Sequence, residues 1–269
     1  MRILFCGDIV GSSGRKIVMS ELASIKQKKE IDFVIANGEN AAGGFGITPN
    51  ICEQLFESGI DVITTGNHVW DQREIIPYIS REERIIRPIN YPDNTPGEGY
   101  CVLPDKQGRK ILTLNAMGRL FMDPLNDPVY AIQEILKKYK LGKNINAIVL
   151  DIHGEASSEK MIIGHILDGK VSLVVGTHTH IPTADCQIFP KGTAYQTDAG
   201  MCGDYDSVIG GNKERWIERF INKIPTGRIP SAEGEGTLCG TIIETNDNTG
   251  LAVKIDQIIL GKNLKNTPL

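Results

Sequence analysis

Five short polar motifs in this chain each follow a run of apolar residues, and this recurrence constrains the fold more than any other feature. In chain order they are Cys6-Gly7-Asp8, Asn37-Gly38-Glu39-Asn40, Gly66-Asn67-His68, Asp151-Ile152-His153 and Gly176-Thr177-His178-Thr179-His180. The apolar runs before them read as buried strands. In open α/β sheets, ligands sit just beyond the carboxyl ends of the strands. Strand ends bearing Asp, Glu, Asn and His can therefore converge on one point. The chain holds 5 histidines, and all but His165 fall in these motifs. That concentration points to a metal site, and the number of donors to two ions.

The spacing predicts alternating strands and helices over the first third. Ile3 to Cys6, Asp32 to Ala36 and Asp61 to Thr64 read as strands. Arg15 to Lys29 and Trp70 to Ile79 read as helices, and Thr48-Pro49 caps and opens another. Strand-helix-strand repeats imply parallel pairing. Residues 85–96 are loop-rich. Tyr100 to Leu103 and Lys110 to Asn115 form an expected hairpin, and Asp127-Pro128 starts a helix. Ala147 to Ile152, Ser158 to Leu167 and Val171 to Val175 continue as strand, helix, strand. Ala194 to Thr197, Thr237 to Glu244 and Leu251 to Ile259 are strand-like. Lys213 to Ile224 reads as a helical insertion between Gly210-Gly211 and the stretch Pro225 to Pro230. Its Trp216 and Phe220 lie four apart on one helical face and must bury against something. Residues 203–235 are therefore expected to form a cap over the site or an oligomer contact. No linker divides the chain, so a single domain over residues 1–269 is expected.

Composition excludes several classes. A net charge of −4 gives no reason for a nucleic-acid coat. No stretch approaches the apolar length of a membrane span. The run Ile3 to Cys6 is too short for a signal peptide, and Asp8 interrupts it. Six scattered cysteines without a CxxC pair suit buried thiols in a reducing compartment. A cytoplasmic location follows as an expectation.

Each motif carries its own chemistry and its own plainer alternative. Asp8 suits a divalent cation, or caps a turn. Glu39 can bridge two ions and Asn40 can ligate without adding charge, although a Glu at a strand end is often only solvated. Asn67 offers a neutral oxygen, and His68 a proton at neutral pH. His153 alone reads equally as a structural histidine. His178 and His180 are two apart, and in an extended segment both would face one side. Arg119 is a possible phosphate grip, or an ordinary surface arginine. Residues 195–201 could line the pocket, with Lys160 facing it from its helix. His165 is left to packing or the surface.

Taken together these motifs resemble the calcineurin-like metallophosphoesterases. That pattern runs Asp-x-His, Gly-Asp, Gly-Asn-His, a distant His, then Gly-His-x-His. The chain departs from it at Val10, where the first His would stand, and at Glu39, where the bridging Asp would stand. With Gly38 to Pro49, Gly66 to Asp71 and Gly176 to Asp185, it is similar to the YmdB-like branch, described as 2′,3′-cyclic-nucleotide 2′-phosphodiesterases. The resemblance runs from Met1 to about Ile259. It implies an α/β sandwich of two mixed β-sheets flanked by helices. It implies two divalent or mixed-valence transition-metal ions, iron first, with manganese or zinc as alternatives. It places Asp8, Glu39, Asn40 and His180 on one ion, and Glu39, Asn67, His153 and His178 on the other. Glu39 then bridges, and His68 is the acid/base residue.

The implied function is hydrolysis of 2′,3′-cyclic nucleotides to 3′-nucleotides by a hydroxide held between the ions. A small phosphodiester substrate, short RNA ends and homo-oligomerisation are the expected partners. Two other readings stand beside it: a phosphomonoesterase or phosphoprotein phosphatase, and a regulatory metal-binding protein. A binding module has no need of an acid such as His68 beside the metals.

Overall fold

The computed structural model describes residues 1–224 and 227–268. The first two residues of the expected Pro225 to Pro230 flank, and the last residue of the chain, lie outside the described residues. The first half runs β1 (Arg2–Cys6), β2 (Asp8–Ile9), α1 (Gly11–Lys29), β3 (Phe33–Asn37), α2 (Pro49–Glu57), β4 (Val62–Thr64), α3 (Ile75–Ile79), β5 (Tyr100–Pro104), β6 (Lys110–Met117) and α4 (Pro128–Lys138). The second half runs β7 (Ala147–His153), α5 (Ser157–Leu167), β8 (Leu173–Thr177), β9 (Gln187–Ile188), β10 (Ala194–Gln196), β11 (Met201–Cys202), α6 (Lys213–Asn222), β12 (Leu238–Thr245) and β13 (Ala252–Leu260).

Two mixed sheets result, so the fold is mixed α/β. One has the order β13-β12-β1-β3-β4, the other β5-β6-β7-β8-β10-β9, and β2 pairs with β11 in a small ribbon. Within the two large sheets the parallel runs are β1-β3-β4 and β6-β7-β8-β10. Antiparallel strands extend them: β12 and β13 on one side of the first sheet, β5 and β9 at the two edges of the other. The parallel pairing expected from the early alternation is present in β1-β3-β4, and antiparallel strands extend each sheet.

Alternation along the strands builds three packed layers of side chains. Ile3 and Phe5 of β1 meet Val149 of β7 and Leu173 of β8 between the sheets. Leu4 and Cys6 face α1 and α2 on the opposite side. Ile148, Leu150 and Ile152 of β7 face α4 and α5. This is the two-residue period of a strand buried on both faces. Burying side chains of this size stabilises by about 1.5–3 kcal/mol each, so the sheet centres are the stiff part of the molecule.

Register then sets the site. Cys6 pairs with Ala36, Asn37 with Thr64, and His153 with Thr177. The parallel strands therefore end level, and their loops share one edge. Some element boundaries differ from expectation. α1 begins at Gly11, where a φ of +59° suits glycine. Residues 70–74 are turns, and only α3 remains of that expected helix. α6 forms with Asn212 as its cap, yet none of its residues is buried, and Phe220 is 73% exposed. Among the described residues, no helix is long and apolar enough to cross a membrane.

Candidate metal centre

Every motif residue singled out as a metal donor lies at this shared edge, in two clusters. In the first, His153 Nε2 lies 3.0 Å from Glu39 Oε1, 2.9 Å from Asn67 Oδ1 and 3.1 Å from His178 Nδ1. Ligating atoms of Glu39, His153 and His178 all fall within 4.8 Å of one another. In the second, His180 Nε2 lies 3.2 Å from Asn40 Oδ1 and 3.9 Å from Asp8 Oδ1. Asp8, Glu39, Asn40, His153 and His180 are buried, and His178 and Asn67 partly so.

Outer hydrogen bonds decide which atoms are free to ligate. Thr177 Oγ1 donates to Asp151 Oδ1 at 2.6 Å, so it accepts from His153 Nδ1 at 2.9 Å. His153 Nε2 is then left with its lone pair. His180 Nδ1 donates to the Ile209 carbonyl at 2.7 Å, which again leaves Nε2 bare. Asn40 Nδ2 donates to the Gly44 carbonyl at 3.0 Å, turning Oδ1 toward His180. His178 Nε2 faces Glu155 Oε2 at 3.3 Å, so Nδ1 is the free atom. Outer partners of this kind fix the tautomer of a metal-ligating histidine. Asp151 accepts from Thr177, Thr64 and Asn37, and so ties β7 to β3, β4 and β8.

A cation fits this arrangement. Lone pair faces lone pair at about 3 Å in both clusters, which is repulsive unless a positive charge lies between. Asp8 Oδ1 is buried with no hydrogen-bond partner among the described residues. A buried, unpaired carboxylate oxygen is costly. Burial pushes the Asp8 carboxyl well above its ordinary range. Burial works against charge on His153 too, but Glu39, Asp8 and Asp151 outweigh it and raise that imidazole above its ordinary value. Without a cation these carboxylates are offset by protons, on Asp8 itself or on the histidine that a metal would need bare. Burial and the neighbouring His153 hold His178 down to about 3, so it is neutral at pH 7. Gly66 leaves the room required, because a Cβ there would overlap Glu39 Oε2 and the His153 ring.

His68 stands apart from both clusters. Its ring nitrogen Nδ1 lies 3.0 Å from Asp71 Oδ2, and His68 is not among the residues whose ligating atoms gather with Glu39. Its backbone N–H donates to Glu39 Oε2 at 3.0 Å. Arg228 Nη2 reaches the same Asp71 oxygen at 2.9 Å. The cavity here, about 260 Å³, is lined by Glu39, Asn40, His68, His178 and His180 on its polar side. Phe45, Ile209, Trp216 and Ile229 line the rest.

Three expectations are corrected. The extended-strand argument for His178 and His180 does not hold, since β8 stops at Thr177. Both histidines have positive φ, 95° and 65°, and a left-handed turn brings them to different clusters. Arg119 does not reach the cavity; it pairs with Asp127 at 3.1 Å. Lys160 faces away from the cavity and binds Asp198 at 2.9 Å in the interior. His165 is exposed and stacks on Phe189, as packing or surface requires. Sequence reasoning placed Asp71, Asp151 and Asp198 within its motifs and strand ends but gave none of them its positioning role. Only Asp71, three residues after His68, carried a local signal.

Comparison with known proteins agrees over nearly the full length. The model of the family described as YmdB-like protein matches residues 4–258. The chain is 45% identical over 260 residues to a 2′,3′-cyclic-nucleotide 2′-phosphodiesterase of Bacillus subtilis (strain 168), covering 97% of each. A hypothetical protein from Thermus thermophilus superposes with a TM-score of 0.90 at 40% identity, covering 97% of this chain and 100% of that one. A novel phosphatase from Mycoplasma pneumoniae superposes with a TM-score of 0.89 at 33% identity, covering 97% and 93%.

Proposed function

The chain belongs to the YmdB-like protein family, and on that footing we propose that it is a dinuclear-metal phosphodiesterase of calcineurin-like type. Its substrates are 2′,3′-cyclic nucleotides, and its products 3′-nucleotides. The observation that carries this reading is the pair of donor clusters with mutually facing lone pairs, next to the unpaired Asp8 Oδ1. Asp8, Asn40 and His180 would hold one ion, Asn67, His153 and His178 the other, and Glu39 both. A nitrogen and oxygen donor set without thiolate suits iron, manganese or zinc. When bound, such ions supply Lewis-acid polarisation of phosphate oxygens and activation of the attacking water.

The protein's own groups do the rest. The buried donors would hold the ions at the polar side of the cavity, and so set where a phosphate would be drawn. Two carboxylates against two cations leave a positive site, which suits a phosphodiester monoanion. His68 lines that side without belonging to either cluster. Asp71 engages its Nδ1, which leaves Nε2 as the ring nitrogen available to substrate. From there His68 protonates the departing ribose 2′ oxygen, a role worth about 10²–10⁴ in rate. Cleavage at the 2′ oxygen rests on the B. subtilis relative.

The test resolves products by chromatography against 2′- and 3′-phosphate standards. Exclusive 3′-phosphate is expected, and exclusive 2′-phosphate would refute the direction of cleavage. The M. pneumoniae protein described as a phosphatase favours monoester hydrolysis as a second reading. Matched nitrophenyl mono- and diesters separate the two. Self-association through the uncovered face of α6, where Ile217, Phe220 and Ile221 are exposed, belongs to the same reading and is measured by sedimentation.

A further inference from the structure

The cavity is two-sided, and the metal chemistry uses only one side. Its polar side carries the donor clusters and His68. Its other wall is built by Val10, Phe45, Ile209, Trp216 and Ile229. Three of these come from residues 203–235, where every side chain of α6 is otherwise unburied. Phe45 is held firmly: its ring meets His68 edge-on with centroids 5.1 Å apart. The Arg228 guanidinium lies 4.9 Å from its centroid on the way to Asp71. Trp216 is half-buried, and Gly211 gives it room, since a Cβ there would overlap the indole Nε1.

We propose that this wall is a nucleobase subsite, in which Trp216, opposed by Phe45, stacks on the base of a ribonucleotide whose phosphate lies at the metal donors. The proposal rests on the phosphodiesterase reading and names the part of the substrate it leaves unplaced. A cavity of about 260 Å³ is near the lower end of small-molecule sites, roughly 300 Å³. That is room for one nucleoside, with the phosphate at the polar side and the base at the apolar wall. Aromatic rings fixed in advance lose little entropy when a base stacks on them. The wall offers almost nothing to read base edges. Beside the metal donors and His68, its polar side chains are Glu155, Thr179 and Ser231. Glu155 faces His178, and the Thr179 hydroxyl donates to Asp198 at 2.7 Å. Stacking without edge contacts binds all four bases with similar strength.

The experiment pairs each 2′,3′-cyclic nucleotide with ribose 2′,3′-cyclic phosphate, which has the phosphodiester but no base. The readout is the ratio of the two kcat/KM values. Stacking on one aromatic ring is worth about 5- to 150-fold in that ratio. The ratio should exceed unity by such a factor for all four nucleotides. It should collapse in Trp216→Ala and recover in Trp216→Phe. In parallel, adenosine 3′-monophosphate should quench tryptophan fluorescence in the native protein and not in Trp216→Phe, while ribose 3-phosphate should not quench. Since α6 contributes no buried side chain, these variants should fold, and circular dichroism checks that they do. An unchanged ratio in Trp216→Ala, or equal binding of the nucleotide and ribose phosphate, overturns the subsite. Trp216-dependent quenching without hydrolysis of either diester upholds the subsite and refutes the hydrolytic reading instead.

Discussion

Lys160 Nζ lies 2.9 Å from Asp198 Oδ2, and both side chains are buried. The same carboxylate oxygen accepts from the Thr179 backbone N–H at 3.1 Å and from its hydroxyl at 2.7 Å. This ion pair therefore grips the residue between His178 and His180, and holds their left-handed turn from behind. Removing one partner of a buried pair strands a charge, at a cost of about 3–5 kcal/mol. Lys160→Met should lower unfolding free energy by that amount in equilibrium urea titrations, whereas a loss below about 1 kcal/mol would mean that the pair does not anchor the turn.

His68→Ala should keep its metals and lose about 10²–10⁴ of turnover. Asp71→Asn should lose less, because it loosens the ring without removing it. Elemental analysis alongside steady-state kinetics decides both. Loss of metal in His68→Ala would make His68 a ligand, and unchanged turnover would remove it from the reaction.

Protein purified anaerobically without chelator should contain close to two transition-metal ions per chain. A ligand at 100 times its dissociation constant stabilises by about 2.7 kcal/mol. Chelation should accordingly lower Tm by about 5–10 °C for a chain of this size, and added metal should restore it. One ion or none by elemental analysis would count heavily against the paired clusters.

Gly66→Ala tests the cradle directly. Its Cβ would collide with Glu39 Oε2 and the His153 ring, both of them buried. Metal affinity should fall by at least about tenfold, the scale seen when a ligand is mispositioned. The circular dichroism spectrum should stay native. Undiminished metal content would show that Glu39 and His153 are not held against Gly66.

The sequence by itself determined the strand ends. Apolar runs of strand length, broken by Gly and then by Asp, Glu, Asn or His, located β1, β3, β4, β7 and β8 to within about two residues. This was legible because hydrophobic burial and the two-residue strand period act locally. The hairpin of β5 and β6, and the caps at Thr48 and Asp127, were legible for the same reason. Which donors share a cluster was not legible in spacing, and only the family resemblance suggested a grouping. That depends on register, such as His153 opposite Thr177, and on the positive φ of His178 and His180. The partners of the positioning carboxylates were not legible either. Asp198 acts on Thr179 and Lys160, and Asp151 on Asn37 and Thr64, across 19 to 114 positions of chain. Contacts that distant are created only when the two sheets pack, because the short range of a hydrogen bond requires the fold to bring its partners together first.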